Sequence, residues 1–377
     1  MPTVVARREN GVARQRMAGV WEPMTNLSSN VGDGHVTVQR LSIFTDETYL
    51  QVMAISLGIV CQTVTMFGII SNVLNCIVFI KQGFSDCINI SLISLAVSDL
   101  CSLLTVMWSN LCFTPAFQNS GIPIATYEVH LITGSWPHVM FTRVTGWITA
   151  FISLERCVCV ILPLKVKSIF TPRTHILAVI VFFAVTFMGA SMAYVSVGVG
   201  WRFFPEHNRT MLGLTFIADA KQRKFTDSIS YVINGVVMPV SCFLSVVTFT
   251  AVLIVKLNQK ASWRQAHSSA ANETQDKSKV NTKSNTKETK VAKMVVLISV
   301  TFIASFLPAV GTFVAKYIEP QLTYDGLYRR LAMVILSVSF TAEALNSSIN
   351  IFVYFKMSTK FRQTFLRTFR VNRFVKL

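Results

Sequence analysis

The chain has 377 residues, 52% of them hydrophobic and only 14% charged, with a mean hydropathy of +0.50. A soluble domain carries about 25% charged residues, so the composition excludes one and indicates an integral membrane protein. The formal net charge of +17 invites a nucleic-acid reading that its distribution along the chain removes.

Residues 1–48 form an N-terminal tail, expected to be extracellular and largely disordered. It contains Arg7, Arg8, Arg14 and Arg16 and the glycosylation sequon Asn26-Leu27-Ser28. It has no apolar core of the length a signal peptide needs, so the first span must direct insertion itself.

A spanning helix needs about 20 mostly apolar residues, and seven stretches within 49–357 qualify: 50–80, 88–112, 131–155, 175–200, 228–255, 291–316 and 331–355. The first has no charge between Glu47 and Lys81 and carries Asn72. The second holds Asp99 inside the otherwise uncharged run from Cys87 to Tyr127. A carboxylate at membrane depth costs about 2.5–3.5 kcal/mol even on insertion scales and marks a functional candidate. It needs partners from other spans. The third span offers His138, Arg143 and Thr145 and closes on Glu155-Arg156.

After the fourth span, the loop 201–227 contains the sequon Asn208-Arg209-Thr210 and no cysteine. No disulfide is expected to pin it, because six of the eight cysteines fall in or at the ends of apolar helices. The fifth span carries Pro239. The segment 258–288 is dominated by Ser, Thr, Asn, Gln, Lys and Glu, a composition that buries too little apolar surface to order itself, and it reads as a disordered cytoplasmic loop. The sixth span has Phe302, Phe306 and Pro308, and the seventh has Phe340, Glu343, Asn346, Ser347, Asn350 and Tyr354.

In the tail, 358–377, Phe361, Phe365 and Phe369 recur every four residues between arginines. That spacing predicts a short amphipathic eighth helix on the inner membrane surface. The expected fold is therefore an all-α membrane protein, a seven-transmembrane helix bundle with that eighth helix attached.

Basic residues orient the bundle. With the C-terminus cytoplasmic, the inner segments hold 21 Lys and Arg against five acids, a net of +16, and the outer ones 13 against 11, a net of +2. Topology thus accounts for the charge. The basic inner face also favours anionic lipid as a partner, and no nucleic-acid partner is expected.

The intramembrane polar residues Asn72, Asp99, Thr145, Asn346, Ser347 and Asn350 need hydrogen-bond partners and are expected to form one network around Asp99. Here the chain resembles a known family. Asn72, Leu95-Ala96-Val97-Ser98-Asp99, Glu155-Arg156-Cys157, Pro163-Leu164, Pro239, Phe302 with Phe306-Leu307-Pro308, and Asn350-Ile351-Phe352-Val353-Tyr354 stand in the order found in rhodopsin-like (class A) G-protein-coupled receptors. Around Leu154–Lys167 and Thr171-Pro172 the chain looks like the chemosensory receptors of molluscs.

The resemblance implies roles. Asp99 with Thr145, Asn346 and Asn350 looks like a pocket for an allosteric sodium ion, and the alternative is a polar network filled by water. No other cofactor is implied. Arg156, beside Glu155, resembles the switch arginine that meets the G protein. Glu288, twenty residues before Pro308 and thus about 30 Å along a continuous helix, matches the place of an acidic partner for Arg156; the alternative is a solvated charge. Tyr354 belongs to the same switch. Pro239 and Pro308 kink their helices, with Phe302 and Phe306 alongside. The departures are Ile351 for a proline, Phe306 for a tryptophan, Cys157 and Val247 for tyrosines, and Leu131 for a cysteine.

The ligand region is expected near His138, Arg143, Phe340 and Glu343. Arg143 and Glu343, opposite charges at depth, indicate either an ion pair or a site for a charged ligand. Trp136 and Trp147 read as packing aromatics.

An opsin needs a lysine in the seventh span, and none lies between Leu331 and Phe355. No nucleophile–base pair, phosphate loop or metal motif indicates an enzyme. The expectation is a multi-pass plasma-membrane receptor, N-terminus outside, that binds a chemosensory cue and activates a heterotrimeric G protein as its sixth helix moves outward. A neuropeptide ligand is the alternative, and a transporter or channel a distant one, for which repeated halves would be expected. Arrestin and receptor kinase are further partners that the resemblance implies.

Overall fold

The computed structural model describes residues 45–369, apart from 164, 206–207, 218, 269–277 and 323–326. Asn26, most of the N-terminal tail and the chain beyond 369 lie outside them. Among the described residues, seven helices are long and apolar enough to cross a bilayer.

Helix α1, Glu47–Gln82, starts at Thr45, whose hydroxyl accepts the Thr48 N–H at 3.2 Å, and stops at Gly83, where φ is 80°. Only glycine adopts that conformation without strain. Helix α2 is Cys87–Cys112. Helix α3, Thr126–Ile161, begins five residues before the expected 131 and carries a π-helical stretch at Leu131–Ser135. Helix α4, Pro172–Val195, opens with Thr171 capping the Thr174 N–H and proline in the first turn, where its missing N–H costs nothing.

The fourth span does not run on to 200. Val197–Phe204, here β1, pairs antiparallel with Arg209–Phe216, β2, in the register Val197↔Phe216 to Phe204↔Arg209. Val197, Val199, Trp201 and Phe203 alternate with Gly198, Gly200 and Arg202, a period of two that a helix does not accommodate. The turn uses Asn208 at φ 47°, so this sequon residue stands exposed at the hairpin tip.

Helix α5 comprises Ala220–Ser230, a π-helical stretch Tyr231–Val237, and Met238–Ser268. The π stretch lies where Pro239 withdraws a donor from the carbonyl four residues earlier. Helix α6 is Ser278–Ile318, with Pro308 inside it, and α7 is Arg329–Met357. The expected disordered loop 258–288 is therefore helical on both sides of 269–277, because α5 and α6 simply continue past their apolar sections. Glu288 lies on α6, and its side chain is outside the described residues.

Helix α8, Thr359–Thr368, starts from the Ser358 side chain, which accepts the Phe361 N–H at 3.2 Å. Phe361 is fully buried against Phe79 and Tyr354, with ring centroids 5.3 and 5.5 Å apart. The amphipathic tail is thus anchored by one aromatic to α1 and α7.

Burial ranks the helices. The apolar windows of α2 and α3 are each 56% buried and that of α4 only 11%, so α4 is peripheral and α3 central. Isoleucines such as Ile59, Ile70 and Ile180 point outward, which suits hydrocarbon rather than water.

Candidate functional site

Three groups of polar residues lie along α3, at the hairpin end, the middle and the Arg156 end of the bundle.

In the middle, Asp99 on α2 is completely buried. Its Oδ1 accepts hydrogen bonds from Thr145 Oγ1 of α3 at 2.9 Å and Ser347 Oγ of α7 at 3.0 Å, and its Oδ2 accepts one from Asn350 Nδ2 at 2.9 Å. Hydrogen bonds to a charged group contribute about 1.5–3 kcal/mol each, enough together to offset the burial of one carboxylate. Three helices are tied by one side chain.

The network is narrower than the sequence suggested. Asn346 is buried but makes no hydrogen bond to Asp99; Ser347, one residue on, faces it instead. Asn72 joins α1 to α7 through the Ser347 carbonyl at 2.7 Å and does not touch Asp99. The carboxylate and two hydroxyls around Asp99 are the oxygen chemistry that hard cations take. Those residues fit a small cation in kind, given rotation of the Thr145 and Ser347 hydroxyls.

Toward the hairpin, His138 shares a hydrogen bond with Ser102 Oγ at 3.0 Å through Nδ1 and lies 3.2 Å from Glu343 Oε2 through Nε2. Phe340 stacks edge-on to the imidazole, centroids 5.3 Å apart. Of the two readings for Arg143 and Glu343, the direct ion pair is absent among the described residues: helical geometry sends Arg143, five residues after His138, toward α5 and α6. There it lies over the Phe313 ring at 5.5 Å. Trp136 packs on Tyr194 and Trp147 on Phe182, as packing aromatics do.

Helices α3, α5 and α6 meet tightly here. Phe302 and Phe306 are buried and stacked, centroids 4.1 Å apart. A Cβ on Gly146 would come within 2.5 Å of Cys242 Sγ and 3.0 Å of Phe302 Cζ, so this contact requires glycine.

At the far end Arg156 forms an ion pair with Glu155, and His175 of α4 approaches the same carboxylate at 3.9 Å. His175 is fully buried and bonded to Ser91 of α2 at 2.7 Å. Ser153 and Ser299 hydroxyls, 2.8 Å apart, join α3 to α6 one turn deeper. Tyr354 is buried between Phe79 and Phe361, its hydroxyl without a hydrogen-bond partner among the described residues. Ser102, Ser153, His175 and Ser299 were not singled out in the sequence; the signal was hydroxyls in apolar helices for the three serines and a histidine near the start of an apolar span for His175.

Over the hairpin end, Glu128 of α3 is buried, pairs with Arg202 of β1 and accepts the Leu214 N–H of β2 at 2.9 Å. Ala125 N–H donates to Leu212 O and Leu212 N–H to Pro123 O, both at 2.8 Å. All eight cysteines are free thiols. The loop is fixed to α3 by a carboxylate and to the segment just before α3 by a short β-bridge, Ile124↔Leu212.

A family model described as serpentine type 7TM GPCR chemoreceptor Srw matches residues 59–372. The chain belongs to that family. The match runs from α1 to beyond α8 and so covers every contact described around Asp99, His138 and Arg156. No curated protein matches the chain. As a seven-transmembrane chemoreceptor of the Srw family it is a multi-pass membrane protein, and a ligand and a G protein are the kinds of partner its family implies.

Proposed function

We propose that this Srw-family chain is a plasma-membrane receptor, hairpin end outside and Arg156 end in the cytoplasm, that converts binding of an external chemical cue into activation of a heterotrimeric G protein. The observation that carries this reading is the Arg156–Glu155 pair at the end of α3, one helical turn from the Ser153–Ser299 contact with α6. Release of Arg156 and separation of those two serines open the space between α3 and α6. Pro308 supplies the hinge.

The Asp99 network lies between this switch and the cue, and its rearrangement transmits the change. A sodium ion held by Asp99, Thr145 and Ser347 in the resting state favours it, because the oxygens that hold the ion are contributed by three helices. The chemoreceptor family supports a chemical cue over a neuropeptide. The test is nucleotide exchange on purified G proteins by the receptor in nanodiscs. Exchange is expected with wild type and its loss by at least tenfold with Arg156→Ala; equal exchange by the two proteins would overturn the reading.

A further inference from the structure

Arg143 is 4% exposed, lies on the helix that passes through the centre of the bundle, and has no carboxylate within 4.0 Å and no hydrogen bond among the described residues. Its Nε is enclosed and unpartnered. An arginine keeps its proton at physiological pH, and a buried cation without an anion or acceptors is among the costliest groups a protein holds. The contact with Phe313 offsets part of that cost. Glu343, the carboxylate whose charge acts on Arg143 through space, is itself engaged by His138 at 3.2 Å.

Arg143 lines a small cavity of about 10 Å³, partly open, whose walls include Thr142, Pro239, Cys242, Phe302, Phe306 and Val310. Its chemistry is one fixed cation in a shell that is otherwise mostly apolar and aromatic, the Thr142 hydroxyl being spent on the Val139 carbonyl at 2.9 Å. A planar guanidinium matches a carboxylate with two parallel hydrogen bonds, and the walls match an apolar body. A space of this size admits about one water, so an organic ligand enters only as α5 and α6 draw apart from α3. Pro239 and Pro308 are the hinges beside it, and Phe306 is both wall and part of the stacked pair on α6.

We propose that Arg143 is the counter-ion for the carboxylate of a small organic acid with an apolar body, held between α3, α5 and α6. This inference rests on the receptor reading and supplies its ligand class. Filling the site pushes on Phe306 and Pro239, so binding and movement of α6 are one event.

The test uses the full chain in detergent and reads its thermal midpoint with hexanoate, benzoate and phenylacetate, with the matching amides, and with sulfate and chloride. At least one of the three acids is expected to raise the midpoint by about 2 °C or more, while its amide and the inorganic anions do not. Arg143→Gln is expected to abolish the shift without lowering the ligand-free midpoint. If that variant does not fold, Arg143→Lys decides: the concentration giving half the shift rises about tenfold, the loss of roughly 1.4 kcal/mol in binding.

No shift with any of the acids, an equal shift with amide or sulfate, or an undiminished shift in either variant overturns the proposal. Nucleotide exchange on the same preparation separates the two ideas. A receptor that exchanges nucleotide but ignores the acids removes only the ligand class. One that binds them through Arg143 and never exchanges removes the receptor reading and leaves the site.

Discussion

Arg202 of β1 pairs with Glu128 of α3, and the second oxygen of that carboxylate accepts the Leu214 N–H of β2 at 2.9 Å. One buried side chain therefore holds both strands of the hairpin against the central helix. Replacing the carboxylate by an amide leaves one oxygen to serve both the Arg202 guanidinium and the Leu214 N–H, and turns a donor toward the other.

Glu128→Gln is expected to destabilise the hairpin by about 1–3 kcal/mol. The cost falls short of that for a fully buried pair because Arg202 is 34% exposed and solvent screens it. Hydrogen exchange at Gly198 to Leu214 should accelerate by one to two orders of magnitude, while that of α2 stays unchanged. Combining the change with Arg202→Gln should recover part of the protection; no change in exchange in the single variant would count against the anchor.

Asp99 connects the sodium proposal to a simple measurement. Replacing choline chloride by sodium chloride is expected to raise the thermal midpoint of wild type, and Asp99→Asn to eliminate that difference. Thr145→Ala and Ser347→Ala should each reduce it, since each removes one oxygen from the set. Equal sodium dependence in wild type and Asp99→Asn would sink the cation site.

Glu155→Gln weakens the hold on Arg156 while keeping the shape of the side chain. Basal nucleotide exchange is expected to rise several-fold at matched surface expression. His175→Phe, which removes the second group near Glu155, should raise it less, because the 3.9 Å contact is long for a hydrogen bond. Unchanged basal exchange in both variants would place the restraint elsewhere.

Gly146→Ala puts a methyl group into Cys242 and Phe302. Overpacking of this kind costs about 1–3 kcal/mol, and a lowered thermal midpoint checks it. Pairing it with Cys242→Ala should recover most of the loss, since the closest contact, 2.5 Å to Cys242 Sγ, is then gone.

The helices were legible because lipid imposes length and apolarity on each one separately, without reference to its neighbours. Asp99 was legible for the same reason: a charge in a run of apolar residues is conspicuous. Less visible was anything that depends on rotation about a helix axis. Ser347 rather than Asn346 meets Asp99, and His138 rather than Arg143 meets Glu343; a difference of one residue turns a side chain by about 100°. The hairpin hid because Val197–Phe204 is apolar enough to read as the end of a span, although its alternating glycines carried the strand signal. The helical extensions into 258–288 hid because their composition is polar, and propensity alone is a weak guide to where a helix stops.

The hairpin's anchorage has one further consequence. A loop held by Glu128, Arg202 and a β-bridge needs no oxidising compartment to mature and loses nothing to a reductant. Dithiothreitol is therefore harmless to this end of the fold, and cell-free synthesis under reducing conditions is a practical route to material whose hairpin end is intact.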